Sequence, residues 1–113
     1  MSLRFITAPV LSMVCLVAPA WADFQAGLDA DTHGDYATAL REWRPLAEQG
    51  DVRAQASLGV LYDNGRGVPQ DYAKARHWFE KAADQGLAVA QYGLGKLYSD
   101  GRGVQRDYTK ARQ

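Results

Sequence analysis

Cysteine is almost missing from this chain: Cys15 is the single example. It lies in an N-terminal stretch that reads as a removable leader, so neither a disulfide framework nor thiol chemistry is available to the remainder. Histidine is scarce as well, with only His33 and His77 and no HExxH spacing. Zinc needs three or four convergent ligands, so both imidazoles read as surface groups and no metal site is expected. Neither sign of charge is in excess, because 13 basic residues cancel 13 acidic ones. No net field draws the chain toward nucleic acid or an anionic membrane surface, and no nucleic-acid partner is expected. Long apolar runs are also lacking. The longest, Ala8 to Ala18, is short of the roughly 20 residues that a bilayer span needs, and Pro9 and Pro19 interrupt and flank it.

What the first 22 residues do contain is a positive start at Arg4, that short apolar run, and the small-x-small sequence Ala20-Trp21-Ala22 before Asp23. This is the pattern of a signal peptide, residues 1–22, cleaved after Ala22. Ser12-Met13-Val14 places bulky residues before Cys15, which disfavours lipidation there. Loss of Arg4 leaves 12 basic against 13 acidic residues, a mature net charge of −1. The expectation is export to the periplasm or beyond, with no membrane insertion once the leader is gone.

The remainder is organised by a repeat. Gly65-Arg66-Gly67-Val68-Pro69-Gln70-Asp71-Tyr72 returns 36 positions later as Gly101-Arg102-Gly103-Val104-Gln105-Arg106-Asp107-Tyr108, and the same offset relates Asp35-Tyr36 to Asp71-Tyr72. A period of this size belongs to helical-pair solenoids, whose units bury their apolar faces only by stacking.

The helices follow from apolar spacing and punctuation. The pattern predicts helices from Phe24 to about Ala30 and from Asp35 to about Gln49, with Tyr36, Leu40, Trp43 and Ala47 on one face of the second. Asp35 is its expected N-cap, Gly50 its expected stop, and Pro45 predicts a kink. A third helix runs from about Val52 to Asn64 with Ala54, Leu58, Leu61 and Tyr62 as its buried stripe. Gly59 within it, costing about 1 kcal/mol against Ala, points to close approach of a neighbouring helix. A fourth runs from about Asp71 to Gln85 around Phe79, and a fifth from Ala88 to Ser99 repeats the third. The copy beginning at Asp107 stops at Gln113, before the equivalents of Trp78 and Phe79.

Ala54-x-x-x-Leu58-Gly59-x-x-Tyr62, Gly65-x-Gly67-Val68-x-x-Asp71, Lys74-Ala75-x-x-Trp78 and Lys81-Ala82-Ala83-x-x-Gly86 together resemble the Sel-1-like repeat, and Ala90 through Ala111 matches again. The resemblance implies an all-α fold, a right-handed α-solenoid of antiparallel helix pairs related to the tetratricopeptide repeats, used to bind proteins or peptides. It divides the mature chain, 23–113, into a tetratricopeptide-like pair at 23–50, a first repeat at 51–86 and a second at 87–113 whose second helix is cut short. In such folds the first helix of each pair lines the concave groove. On the helix wheel Ala56, Val60 and Asp63 lie opposite the buried stripe, and their counterparts are Tyr92, Lys96 and Ser99. These six form the candidate binding surface, since core positions repeat between units while these differ.

Catalytic and cofactor motifs fail on inspection. Gly65-Arg66-Gly67 lacks the third glycine and preceding strand of a dinucleotide fingerprint, and Gly93-Leu94-Gly95-Lys96 lacks the first glycine and the Ser or Thr of a phosphate loop. Asp29 and Asp31 read as solvated charges. No cofactor is expected. The expected function is a non-enzymatic scaffold in the bacterial envelope, with an unidentified protein or peptide partner and self-association open to it through an unfinished C-terminal end. A second reading, a cell-wall or β-lactam-directed hydrolase, follows from cysteine-rich members of the resembled family, but their cysteines and an SxxK nucleophile are absent here. A third is a fragment of a longer solenoid.

Overall fold

The computed structural model describes residues 21–102. Among them are five helices and no strand: α1 (Phe24–Thr32), α2 (Tyr36–Glu48), α3 (Val52–Asn64), α4 (Tyr72–Asp84) and α5 (Ala88–Asp100). The expected leader up to residue 20 and the copy starting at Asp107 lie outside the described residues.

Aspartate starts four of these five helices. The carboxylates of Asp23, Asp35, Asp51 and Asp71 accept from the backbone N–H groups of Gln25 (2.9 Å), Thr38 (3.2 Å), Arg53 (2.9 Å) and Lys74 (3.1 Å), satisfying donors that the first helical turn leaves open. Leu87 holds the corresponding place before α5 and offers no side-chain cap. At the other end of α2, Gly50 adopts φ +103°, its N–H donates to Ala47 O (3.0 Å), and that of Asp51 donates to Leu46 O (3.0 Å). That left-handed turn reverses the chain and lets α3 fold back on α2. Pro45 does not end α2, whose bonding resumes beyond it with Gln49 N–H to Pro45 O at 3.1 Å.

Successive helices pack against one another along the chain, as stacked pairs require. Ala39, Trp43, Ala47, Ala54, Leu58 and Leu61 form one buried cluster between α2 and α3. Ala56, Tyr62, Ala75, Phe79, Ala82, Ala90 and Leu97 form a second across α3, α4 and α5, and half-buried Trp78 packs on both. The stripe expected on α3 is buried throughout. On α2 the buried residues are Ala39, Glu42, Trp43 and Ala47, while Tyr36 and Leu40 sit half-exposed at the edge.

The reason lies in the repeated loop. Gly67 (φ +75°) lies against Tyr36 and Leu40 so closely that an added Cβ would come within 2.7 Å of Tyr36 Cβ. Arg66 extends along the same side chain, its guanidinium 5.8 Å from the Tyr36 ring centroid. Arg102 repeats this over Tyr72 at 5.5 Å. The Gly-Arg-Gly loop of one unit thus covers the second helix of the unit before it.

A glutamine relay ties the units at the opposite end. Buried Gln55 donates through Nε2 to Ala47 O (3.1 Å), and Gln85 Nε2 donates to Gln55 Oε1 (2.9 Å) and to Gly50 O (3.2 Å). Gln91 repeats the first bond, reaching Ala83 O at 3.3 Å. Gln55 and Gln91 add a second donor to Ala47 O and Ala83 O, carbonyls in the last turn of the preceding helix that also accept from Gly50 N–H and Gly86 N–H.

Candidate protein-binding surface

Aromatic residues and glycines set the register of the surface. The Trp43 indole lies on Gly27, where an added Cβ would come within 2.3 Å of it, and its Nε1–H donates to Phe24 O (3.1 Å). The Phe79 ring lies on Gly59 in the same manner, at 2.6 Å. What approaches Gly59 is therefore an aromatic ring from α4, not a second helix backbone. Gly27 and Gly59 are structural equivalents, and the 36-residue repeat adds Gly95.

Counted from that glycine, the six expected residues fall at three positions. The next residue is Leu28, Val60 or Lys96, and all three are exposed. Four residues on stand Asp31, Asp63 and Ser99, each half-buried. Three residues back stand Phe24, Ala56 and Tyr92, whose fates differ. Tyr92 is 70% exposed, whereas Ala56 is 7% exposed and belongs to the core shared by α3, α4 and α5. The placement of Ala56 on an open face is thus corrected: α3 is the central helix, with seven of its 13 residues buried against neighbours on two sides. Phe24 stacks on Trp43 (5.7 Å between centroids) with the Arg53 guanidinium 4.2 Å from its ring.

Two members of the surface were not expected. Leu28 on α1 and Val89 on α5 are exposed, Val89 by 60%. Leu28 escapes a 36-residue comparison because the α1–α2 connection is shorter than the α3–α4 connection, so that offset lands it on Asn64 rather than Val60. The glycine beneath the aromatic residue is the signal that aligns it correctly. Among the described residues, five large apolar side chains are exposed, and four of them, Leu28, Val60, Val89 and Tyr92, lie on first helices of pairs. None lies on α2 or α4. Within the helices the open large apolar side chains are therefore confined to α1, α3 and α5, while exposed Trp21, ahead of α1, shares a cavity with α2 residues Ala37 and Leu40.

Charge at this surface is sparse and mixed, with Lys96 exposed on α5 and the Asp31 and Asp63 carboxylates near the ends of α1 and α3. Asp63 Oδ1 is enclosed without a hydrogen-bond partner, while Asp63 O accepts from Gln70 Nε2 at 2.7 Å. Such a surface can bind through apolar contact and hydrogen bonding. The two histidines stand apart from it. His33 Nδ1 lies 2.7 Å from Asp29 O, and His77 meets Trp78 edge-on with centroids 5.1 Å apart. Among the described residues no group of three or more His, Cys, Asp or Glu side chains converges to hold a metal ion, and no helix is long and apolar enough to cross a membrane.

Comparison with known proteins gives the same architecture. The Sel1 repeat model matches residues 52–87 and 88–113. A Sel1 repeat protein from Oxalobacter formigenes is similar in structure, with TM-score 0.75 and 32% identity over 79% of this chain and 37% of that one. A protective antigen present in uropathogenic Escherichia coli strains, displaying an SLR fold, is similar with TM-score 0.69 and 33% identity over 98% of this chain and 24% of that one. The chain thus spans well under half the length of either solved structure. No curated protein matches it.

Proposed function

Since this chain belongs to the Sel1 repeat family, whose members are in general protein-interaction scaffolds, we propose that it acts as an exported, non-enzymatic scaffold in the bacterial envelope. Its contact surface is the row of first-helix side chains Leu28, Val60, Val89, Tyr92 and Lys96, bordered by Asp63 and Ser99. The observation that carries this reading is the segregation of exposed apolar side chains onto α1, α3 and α5. Scattered single apolar residues are ordinary on protein surfaces, but their alignment along successive first helices is what a docking face requires. Tyr92 suits the anchor role, since a large aromatic with a polar tip contributes much contact at little entropic cost. Export is supported by the leader-like sequence of residues 1–22.

The test is site-specific photocrosslinking in an exporting bacterium. A photoreactive side chain at position 60 or 92 is expected to give a discrete protein adduct, whereas one at the exposed α4 positions 73 or 81 gives none. Equal adducts from both sides of the stack would sink the assignment of the surface. Recovery of the protein from the cytoplasm alone would sink the location.

A further inference from the structure

Glu42 is the one carboxylate among the described residues that is buried in the core, with 8% of the residue exposed. A charge placed there needs compensation, because desolvating a carboxylate costs several kcal/mol unless it is paired and hydrogen-bonded. Its partners are few. The backbone N–H of Asp23 donates to Oε1 at 2.9 Å, and the guanidinium of Arg41, whose side chain is 63% exposed, stays 3.9 Å from Oε2. Neither neutralises Glu42 well: an amide carries no net charge, and a solvated arginine at that distance is a weak partner. The atom that Glu42 grips most closely is thus the nitrogen of the Ala22–Asp23 peptide bond. That bond is where the leader pattern Ala20-x-Ala22 predicts cleavage.

We propose that Glu42 is the receptor for the new N-terminus: processing between Ala22 and Asp23 converts the hydrogen-bonded amide into an α-ammonium that forms a buried ion pair with the Glu42 carboxylate. The inference rests on the export reading. In the hydrolysis one water molecule is consumed and the C–N bond breaks. Ala22 leaves as a carboxylate, and the Asp23 nitrogen, with the proton released, becomes –NH3+. One of its N–H bonds keeps the direction already aimed at Glu42 Oε1, so the pair forms without rearranging α1 or α2. An ammonium at this point opposes the positive end of the α1 dipole, which makes a counter-charge from a neighbouring helix necessary. The Asp23 carboxylate cannot serve alone, since it already accepts from Gln25 N–H at 2.9 Å. Asp51, the N-cap of α3, and Arg53 line a cavity with Asp23 but pair with each other at 3.2 Å. Glu42 on α2 is left as the group that meets the ammonium. Before processing, the same carboxylate is held by hydrogen bonding without a full positive charge, so cleavage strengthens the clasp of α1 onto α2.

The experiment takes the full 113-residue precursor, exports it, and determines the first residue of the product by intact mass. The α-amine is then labelled with an amine-reactive reagent across a pH series, in the folded product and in the same product in denaturant. A charge pair is expected to move the midpoint of the folded profile upward by about one pH unit from the ordinary α-amino value near 8, slowing labelling at neutral pH about tenfold. Steric shielding would lower the rate without moving the midpoint. Glu42→Gln is expected to return the midpoint to its denatured position. Should that variant fail to fold, the folded and denatured profiles of the natural sequence decide alone. A product beginning elsewhere than Asp23 overturns the processing site and the pair with it. A product beginning at Asp23 with coincident midpoints overturns the pair and leaves export standing.

Discussion

The Phe79 ring rests on Gly59 so closely that a single methyl group on that glycine would lie 2.6 Å from it. On its other edge the ring meets Gly93, where the corresponding distance is 3.1 Å. One aromatic side chain from α4 is thereby seated between two first helices, each of which gives up a side chain to receive it. Gly59→Ala should therefore destabilise the protein by about 1–3 kcal/mol through overpacking, although the same change in an open helix would stabilise it by about 1 kcal/mol. Denaturant midpoints measure the sign directly. A midpoint above that of the natural sequence would show that the ring moves aside freely.

Truncating the ring itself removes the filler of that space. Phe79→Ala is expected to cost about 3–5 kcal/mol, while Lys96→Ala, on the exposed side of α5, stays within about 0.5 kcal/mol. Reversal of that order in chemical denaturation would mean that the inner and outer sides of the stack are misassigned.

The glutamine relay separates two equivalent residues by burial. Gln55→Ala removes two hydrogen bonds of a buried side chain, its own to Ala47 O and the one it accepts from Gln85 Nε2, at a cost of about 1–3 kcal/mol. Gln91 makes the same bond to Ala83 O but is exposed, so water replaces it and Gln91→Ala should change stability by no more than about 0.5 kcal/mol. Equal losses in the two variants would refute burial as the deciding variable.

Acid should loosen the helix starts. The hydrogen bonds from Thr38 hold the Asp35 carboxyl below its ordinary value of 3.8. At Asp51, burial acts to raise the carboxyl, but hydrogen bonds from the Arg53 side chain and the Ala54 N–H outweigh it and the balance is downward. A depressed folded-state value means that the stabilisation is complete above the unfolded value near 4 and is lost as pH falls through the lower, folded one. Thermal midpoints should therefore hold level from pH 7 to about pH 5 and decline below about pH 4. Asp51→Asn, which caps without titrating, should flatten part of that decline; an unchanged decline would remove Asp51 from the account.

Most of the helical architecture was legible because its signals are local. Asp35 and Asp71 stand ahead of apolar periodicity, Gly50 and Gly86 follow it, and the 36-residue return of Gly-Arg-Gly fixes the order of units. The surface was harder to read. A helix wheel reports the direction of Ala56 relative to Leu58 but not how many neighbours surround α3, and it is the second neighbour that buries Ala56. Leu28 was hidden by an unequal loop, which breaks a constant offset without disturbing the packing that makes Gly27 equivalent to Gly59. Glu42 gave no sequence signal at all, since its meaning depends on a backbone nitrogen 19 residues away.

The contact of Gly67 and Arg66 with Tyr36 bears on how such chains lengthen and shuffle. Because the loop of one unit closes over the second helix of the preceding one, the seam of physical independence does not fall at Gly50, where the helix pairs divide. A segment transplanted from that junction would arrive without the lid for its own last helix and would bring a lid shaped for someone else's tyrosine. Recombination that respects the molecule must keep positions 36, 40, 66 and 67 together as one heritable block, so the unit of evolutionary exchange straddles two units of architecture.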